Sequence, residues 1–510
     1  MNTLPRITSL LLMLLMASPG QAETDNHQPP AIGLQPSYEQ GQQWLQQRLA
    51  QRQAATTNNA NTARNLVLFL GDGMSVTTLT AARILQGQRQ GLSGEENQLW
   101  FERFPYSALV KTYNTNQQTP DSAGTMSAIT TGVKTRAGHI AIGPEQDRGI
   151  CQGSQQHQQQ TLFQWAHRQG YATGIVTTAR ITHATPAALY AHSPERDWEA
   201  DSDLTREARQ HGCRDIAWQL IHNAFPAGLD LAFGGGARNF TTAGERDSGN
   251  LIEDWQQQFR QGLYIEDAQQ LRRADLQQHH PLLGLFSASH FHYQHDADDS
   301  QPTLAAMTGI AQTYLEQLVS RQQLKGYLLV VEGARIDHGH HLGNAYRALD
   351  ETIELANAVS RAERNSDDAT LLLVTADHSH TLSMAGYPER GNAILGFTVN
   401  SAHTPQGPVL AADNHPYTTL GYANSQGGST HEDHQQRQPG RIHWHDPQHQ
   451  HTDPTDADFY QAALGEYTWE THGADDVALH AKGPGAALFQ GLIEQHEIYH
   501  RIRQALQEKP

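Results

Sequence analysis

Hydrophobic runs of four or five residues recur along the chain, and three of them end in residues able to hold a metal ion. LVLFLGDG occupies 66–73, LLVVEGARIDHGHH 328–341 and LLLVTADHSH 371–380. An unbroken aliphatic run marks a strand buried on both faces of a parallel sheet. Open α/β sheets place their ligands just beyond the carboxyl ends of such strands. From residue 66 onward the runs alternate with helical periodicity. The pattern predicts strands at 66–70, 172–177, 327–332 and 370–375, and helices at about 75–88, 122–132, 161–169, 303–320 and 342–360. In the last helix Leu342, Leu349, Ile353, Ala356 and Val359 keep to one face. The fold class implied is α/β, a three-layer α/β/α sandwich with a mostly parallel central sheet and a surface insertion.

Four stretches depart from this alternation. Residues 1–22 have Arg6, an apolar segment Leu10–Met16 and small residues at Gly20-Gln21-Ala22, the pattern of a secretory signal peptide too short to span a membrane. Residues 23–65 read as an N-terminal arm and linker: a Gln-rich amphipathic helix at 38–52, with Trp44, Leu45 and Leu49 apolar, then AATTNNANTARN. Such an arm packs either on a partner subunit or on its own surface. Residues 237–300 look irregular and polar. Residues 386–466, rich in Gly, Pro, Asn and His, form the insertion, between a catalytic part at 66–385 and its completion at 467–510. The His-rich piece 431–451 suits metal binding or a solvated loop.

Export changes the meaning of the two cysteines. Cys151 and Cys213 are the only pair, and an oxidising compartment favours joining them, two buried thiols being the alternative. The expected location is periplasmic or secreted. The formal charge of −18 excludes a nucleic-acid partner, whose phosphates require a basic surface. It leaves room for a small anionic substrate, because bound divalent cations reverse the local field. A dispersed acidic excess also fits a saline habitat.

The candidate chemistry sits at the run ends. Asp72 lies between two glycines that allow a sharp turn. Ser122 begins the small-residue helix DSAGTMSAITTG, where free N–H groups and the macrodipole favour an anion; an ordinary Asp or Ser helix cap is the plainer reading. Asp337 and His341 stand four apart, so one helical turn aims both at one ion. Asp377 and His378 follow a strand directly and can meet a second. Oxygen and imidazole donors suit zinc, and two such ions about 4 Å apart clamp the attacking and leaving oxygens of a phosphoryl group.

The blocks GDGMSVTTLTAARILQGQ, PDSAGT, TTARITHATPAALYAHSPERDW, VEGARIDHGHH, TADHSH and ETHGADDVALHAKGPGA, in this order, resemble the signature segments of the alkaline phosphatase family, nearer its animal-type branch. The resemblance implies hydrolysis of phosphate monoesters through a phosphoserine on Ser122, with two zinc ions and one magnesium ion per subunit. It assigns Asp337, His341 and His472 to one zinc, and Asp72, Asp377 and His378 to the other. Asp72, Thr185 and Glu332 take the magnesium. Arg196 grips phosphate oxygens, and His183 and His338 stand behind the metals and phosphate. It also implies a Cys151–Cys213 disulfide, a crown-like insertion at 386–466 and a possible homodimer; from the sequence itself, no apolar run is long enough to span a membrane. Ser75 stands where the family has Gly. LFSASHFHYQHD lacks an acidic residue of the animal calcium site, so calcium is not expected. The competing readings are a phosphodiesterase or sulfatase of the same superfamily, and a non-catalytic zinc-binding protein.

Overall fold

The computed structural model describes residues 38–58, 62–222, 229–402, 407–411, 414, 416–427 and 453–507. The expected signal peptide and the His-rich piece 431–451 lie outside the described residues. Strands run in chain order β1 (Asn65–Gly71), β2 (Tyr106–Lys111), β3 (Ala172–Arg180), β4 (Leu231–Gly235), β5 (Leu263–Ile265), β6 (Leu282–Leu285) and β7 (Tyr327–Gly333). They continue as β8 (Thr370–Ala376), β9 (Ser379–His380), β10 (Leu382–Met384), β11 (Leu420–Ser425), β12 (Ala463–Glu466), β13 (His472–Gly473), β14 (Val477–Lys482) and β15 (Gly491–Glu494).

One ten-stranded sheet has the order β15-β2-β14-β8-β1-β7-β3-β4-β6-β5, and within it only β14 runs against the rest. Every residue of β1, β7 and β8 is buried, which is why these segments read as continuous aliphatic runs. Among the described helices, two groups each pack together. Val76–Arg89, Leu304–Gln322 and Ala345–Asn365 form one; Ser122–Thr131, Leu162–Gln169, Ala184–Ala187 and Glu497–Leu506 form the other. Both groups touch β3, so the sheet is layered between helices as expected.

Register delivers the chemistry. Gly71 pairs with Gly333 on one side and Ala376 on the other, so β1, β7 and β8 end level and their next residues emerge side by side. Ser75 explains its own departure from the family pattern. It is the N-cap of Val76–Arg89, and its hydroxyl accepts from Thr78 N at 3.0 Å, a cap that contributes about 1 kcal/mol.

Three expectations need correction. The 237–300 region is not irregular throughout, because helices Leu251–Gln258 and Ala268–Arg273 and strands β5 and β6 extend the sheet edge there. Their apolar runs are too short to stand out from polar flanks. The N-terminal helix spans Tyr38–Asn58, into the expected linker. It is tied to its own chain, with Arg48 donating to the Glu102 carbonyl at 3.4 Å and Arg52 to Gln490 at 3.0 Å, while Trp44, Leu45 and Leu49 are exposed. The helix expected at 342–360 runs from Ala345 to Asn365, capped by Asn344, because Gly343 adopts a left-handed turn. Elsewhere Cys151 and Cys213 are joined, with Cα atoms 5.9 Å apart. A separate sheet, β10-β11-β12, joins two strands of the 386–466 segment, β11 and β12, to β10 just before it.

Candidate metal centre

Asp72, the first residue past β1, is fully buried and belongs to two of three adjoining groups, one of which shares Asp337 with the third. In each, the ligand atoms lie within 4.8 Å of one another: Asp337, His341, His380 and His472; Asp72, Asp337 and His378; Asp72, His183 and Glu332. The first group contains the complete set expected for one ion. His341 Nε2 lies 3.3 Å and His472 Nε2 3.4 Å from the Asp337 carboxylate. The second expected set also converges, His378 Nε2 being 3.4 Å from Asp72 Oδ1 and 3.4 Å from Asp377 Oδ2. The third brings Glu332, the last side chain but one of β7, beside Asp72.

These acids repel one another in a dry environment. Burial, then Asp377, Asp337 and Glu332, raise the Asp72 carboxyl well above the ordinary range. Burial pushes Glu332 up to about 8, opposed by the Thr177 hydroxyl, and burial also raises Asp377. Asp337 goes the other way: burial resists its ionisation, yet the imidazoles of His341 and His380 hold it well below the usual range. Both oxygens of Asp72, Glu332 Oε1, Thr185 Oγ1 and His183 Nδ1 are buried without a hydrogen-bond partner. Orphaned polar atoms are rare in folded interiors, and the four orphaned oxygens of Asp72, Glu332 and Thr185 call for a ligand. Oxygens and imidazoles with no thiolate fit hard or borderline divalent cations.

Ser122 is the first residue of the helix Ser122–Thr131, and Asp121, not Ser122, is its cap. The plainer reading thus falls on Asp121, which leaves the Ser122 hydroxyl free of the capping role. The Ser122 hydroxyl is buried and stands 3.1 Å from His378 Nε2, at the edge of the second group. Asp121 accepts from Gly124 N at 3.0 Å, Asn114 Nδ2 at 3.0 Å, Gly138 N at 2.9 Å and Arg196 at 3.1 Å. Although burial opposes ionisation, Arg196 and these N–H donors lower its pKa. The other terminal nitrogen of Arg196 donates to His183 Nε2 at 3.2 Å, which puts the proton of a neutral His183 on the orphaned Nδ1. Burial keeps His183 and His338 neutral. The His338 ring lies 5.8 Å from that of His183 and accepts from Arg335 at 2.8 Å. All twelve expected residues thus fall in one neighbourhood.

The sequence reading missed His380 and Glu470. His380 Nε2 meets Asp337 Oδ1 at 2.6 Å and its Nδ1 meets Glu470, while Glu470 accepts from Thr381 N at 2.6 Å. Burial disfavours the charged imidazole, but Glu470 and Asp337 on either side raise it to about 10. The signal was present: after Asp377 the two-residue period of a strand puts His378 and His380 on one side.

Comparison with known proteins gives a consistent result. A family model described as alkaline phosphatase matches residues 63–508. The human tissue-nonspecific isozyme of alkaline phosphatase is 38% identical over 468 residues, covering 87% of this chain and 83% of that protein. The Thermus thermophilus alkaline phosphatase structure superposes with a TM-score of 0.60 at 23% identity, covering 89% of this chain and 94% of that one. A mutant of the alkaline phosphatase from the Antarctic bacterium TAB5, with Mg bound in the M3 site, gives 0.59 at 19% identity, covering 88% and 99%.

Proposed function

The chain belongs to the alkaline phosphatase family, metal-dependent hydrolases of phosphate monoesters, and on that premise we propose that Ser122 is the residue that takes up the phosphoryl group. The observation that carries the reading is the Ser122 hydroxyl, buried at a helix start and 3.1 Å from an imidazole of the carboxylate cluster. Zinc held by Asp337, His341 and His472, zinc held by Asp72, Asp377 and His378, and magnesium held by Asp72, Thr185 and Glu332 would together lower the pKa of that hydroxyl and neutralise phosphoryl charge. The imidazole-bearing sets suit zinc, and the all-oxygen set of Asp72, Thr185 and Glu332 suits magnesium.

The chain's own groups do the rest. Ser122 Oγ, relieved of its proton, attacks phosphorus while the bond to the substrate's alcohol oxygen breaks and that oxygen takes up a proton. Water then cleaves the phosphoserine, restoring the hydroxyl and releasing inorganic phosphate. The positive end of the helix dipole behind Ser122 favours the added negative charge. Arg196, fixed by Asp121 and His183, presents its remaining N–H donors in a planar fork suited to two phosphate oxygens. His183 offers its Nδ1–H, and neutral His338 fills the space beside it, so that charge at the rim comes from Arg196.

Export to an oxidising compartment is supported by the Cys151–Cys213 disulfide, and no described helix is long and apolar enough to cross a membrane. The division into 66–385, 386–466 and 467–510 draws support from β11 and β12, which pair outside the ten-stranded sheet, although their partner β10 precedes residue 386. Turnover of an aryl phosphate monoester against its diester, with and without a chelator, tests the function. The monoester should be strongly preferred, and chelation should abolish its hydrolysis. Equal rates on the two esters, or indifference to chelator, would reject it.

A further inference from the structure

Arg196 comes from an irregular segment, and a long side chain on a loop needs a scaffold to be held accurately. That scaffold is a second irregular strap, residues 138–150, laid across residues 193–197. Ile140 and Ser193 exchange both backbone hydrogen bonds at 2.9 Å, and Gly149 N donates to the Pro194 carbonyl at 2.9 Å. Arg148 then grips Glu195, the residue before Arg196, through both ends of its guanidinium, Nε at 2.8 Å and a terminal nitrogen at 2.7 Å. The strap also reaches the far side of Arg196. Gly138 N donates at 2.9 Å to Asp121 Oδ2, the oxygen that Arg196 itself contacts. Gly138 has φ +84°, and a Cβ there would come within 2.1 Å of Arg148 Nε, so the Arg148 side chain passes directly over the glycine.

We propose that Arg148 is a positioning residue for Arg196. Its two-pronged bond to Glu195 fixes the backbone from which Arg196 departs, while Gly138 beneath it fixes the carboxylate to which Arg196 returns. The guanidinium of Arg196 is thereby set before substrate arrives, and less of its binding energy goes into ordering it. This rests on the reading of Arg196 as the phosphate grip. A lysine at 148 keeps the charge but not the planar fork, which separates geometry from the general field.

The test is a double-mutant cycle on the metal-loaded enzyme, using inhibition by inorganic phosphate and turnover of an aryl phosphate. Arg148→Met should raise the phosphate inhibition constant and KM together by about two- to fivefold, with kcat within about twofold and metal content unchanged. In an Arg196→Ala background the same change should do nothing, and Arg148→Lys should behave like Arg148→Met. Equal effects in both backgrounds, or full rescue by lysine, would overturn the positioning role while leaving Arg196 as the grip. If Arg196→Ala alone leaves phosphate inhibition unchanged, the grip itself is wrong, and Arg148 has nothing to position. Should Arg148→Met fail to fold, Glu195→Gln interrupts the same fork from the other side and must reproduce the result.

Discussion

The strand-end cluster and the Arg196 arm lie side by side and follow opposite electrostatic plans. At the centre of the cluster, both oxygens of Asp72 and one of Glu332 are buried with no hydrogen-bond partner. Around Asp121, a carboxylate that keeps a partly exposed side chain accepts four hydrogen bonds, one of them from a guanidinium. One region is costly to fold as bare protein and gains by binding cations; the other is self-sufficient and arrives ready for an anion. The first must be stabilised by its ligand, whereas the second is stabilised by the fold.

The sharpest way to break the comparison is Asp72→Asn. Activity should fall by at least about 10³-fold, since all metal groups around it lose a shared or neighbouring charge. The metal-free variant should nonetheless melt higher than metal-free wild type, because a repelled buried charge is gone. A lower melting temperature in both states would show that Asp72 is an ordinary structural acid. Arg196→Ala probes the other region and should cost about 10²- to 10³-fold in kcat/KM, with metal content unchanged by elemental analysis. Lost metal would mean the two regions are not independent.

A third measurement asks how far the cost of burying acids extends beyond the centre. Burial raises Glu351 to about 8, although its carboxylate accepts from Gln294 N at 2.7 Å. Between about pH 4.5 and 8 the folded protein therefore holds a proton that the unfolded chain has already released. The associated stability is complete below that window and drains away as pH rises through it. Glu351→Gln, which cannot ionise, should match wild type at about pH 4.5 and exceed it at pH 9 by about 1–3 kcal/mol in denaturant titrations. No pH-dependent difference would rule out the shifted carboxyl. The smallest effect belongs to Ser75→Ala, which removes a helix cap close to the centre and should cost about 1 kcal/mol of stability. An unchanged thermal midpoint would show the cap idle.

Legibility in the sequence follows the same division. The strand-end ligands were readable because a parallel strand buried on both faces leaves a continuous apolar run, and the acid that follows it stands out. Asp337 with His341, and Asp377 with His378, needed only local spacing. Arg196, His183, Thr185 and His472 carried no such local mark and entered through resemblance alone; their meeting depends on loops whose course no periodicity encodes. The edge strand β5, its neighbour β6 and the antiparallel β14 were hidden by being short or half-polar. Glu470 was invisible because its partner His380 lies 90 positions away in the chain.

The central claim is that one hydroxyl, Ser122, is the group these charges serve. Incubating the metal-loaded enzyme with a labelled phosphate monoester, quenching in acid and mapping the peptides tests it directly. The account predicts label on a single peptide, at Ser122, and none in Ser122→Ala protein that still binds its metals. Label on any other residue, or full turnover by the alanine variant, would contradict it.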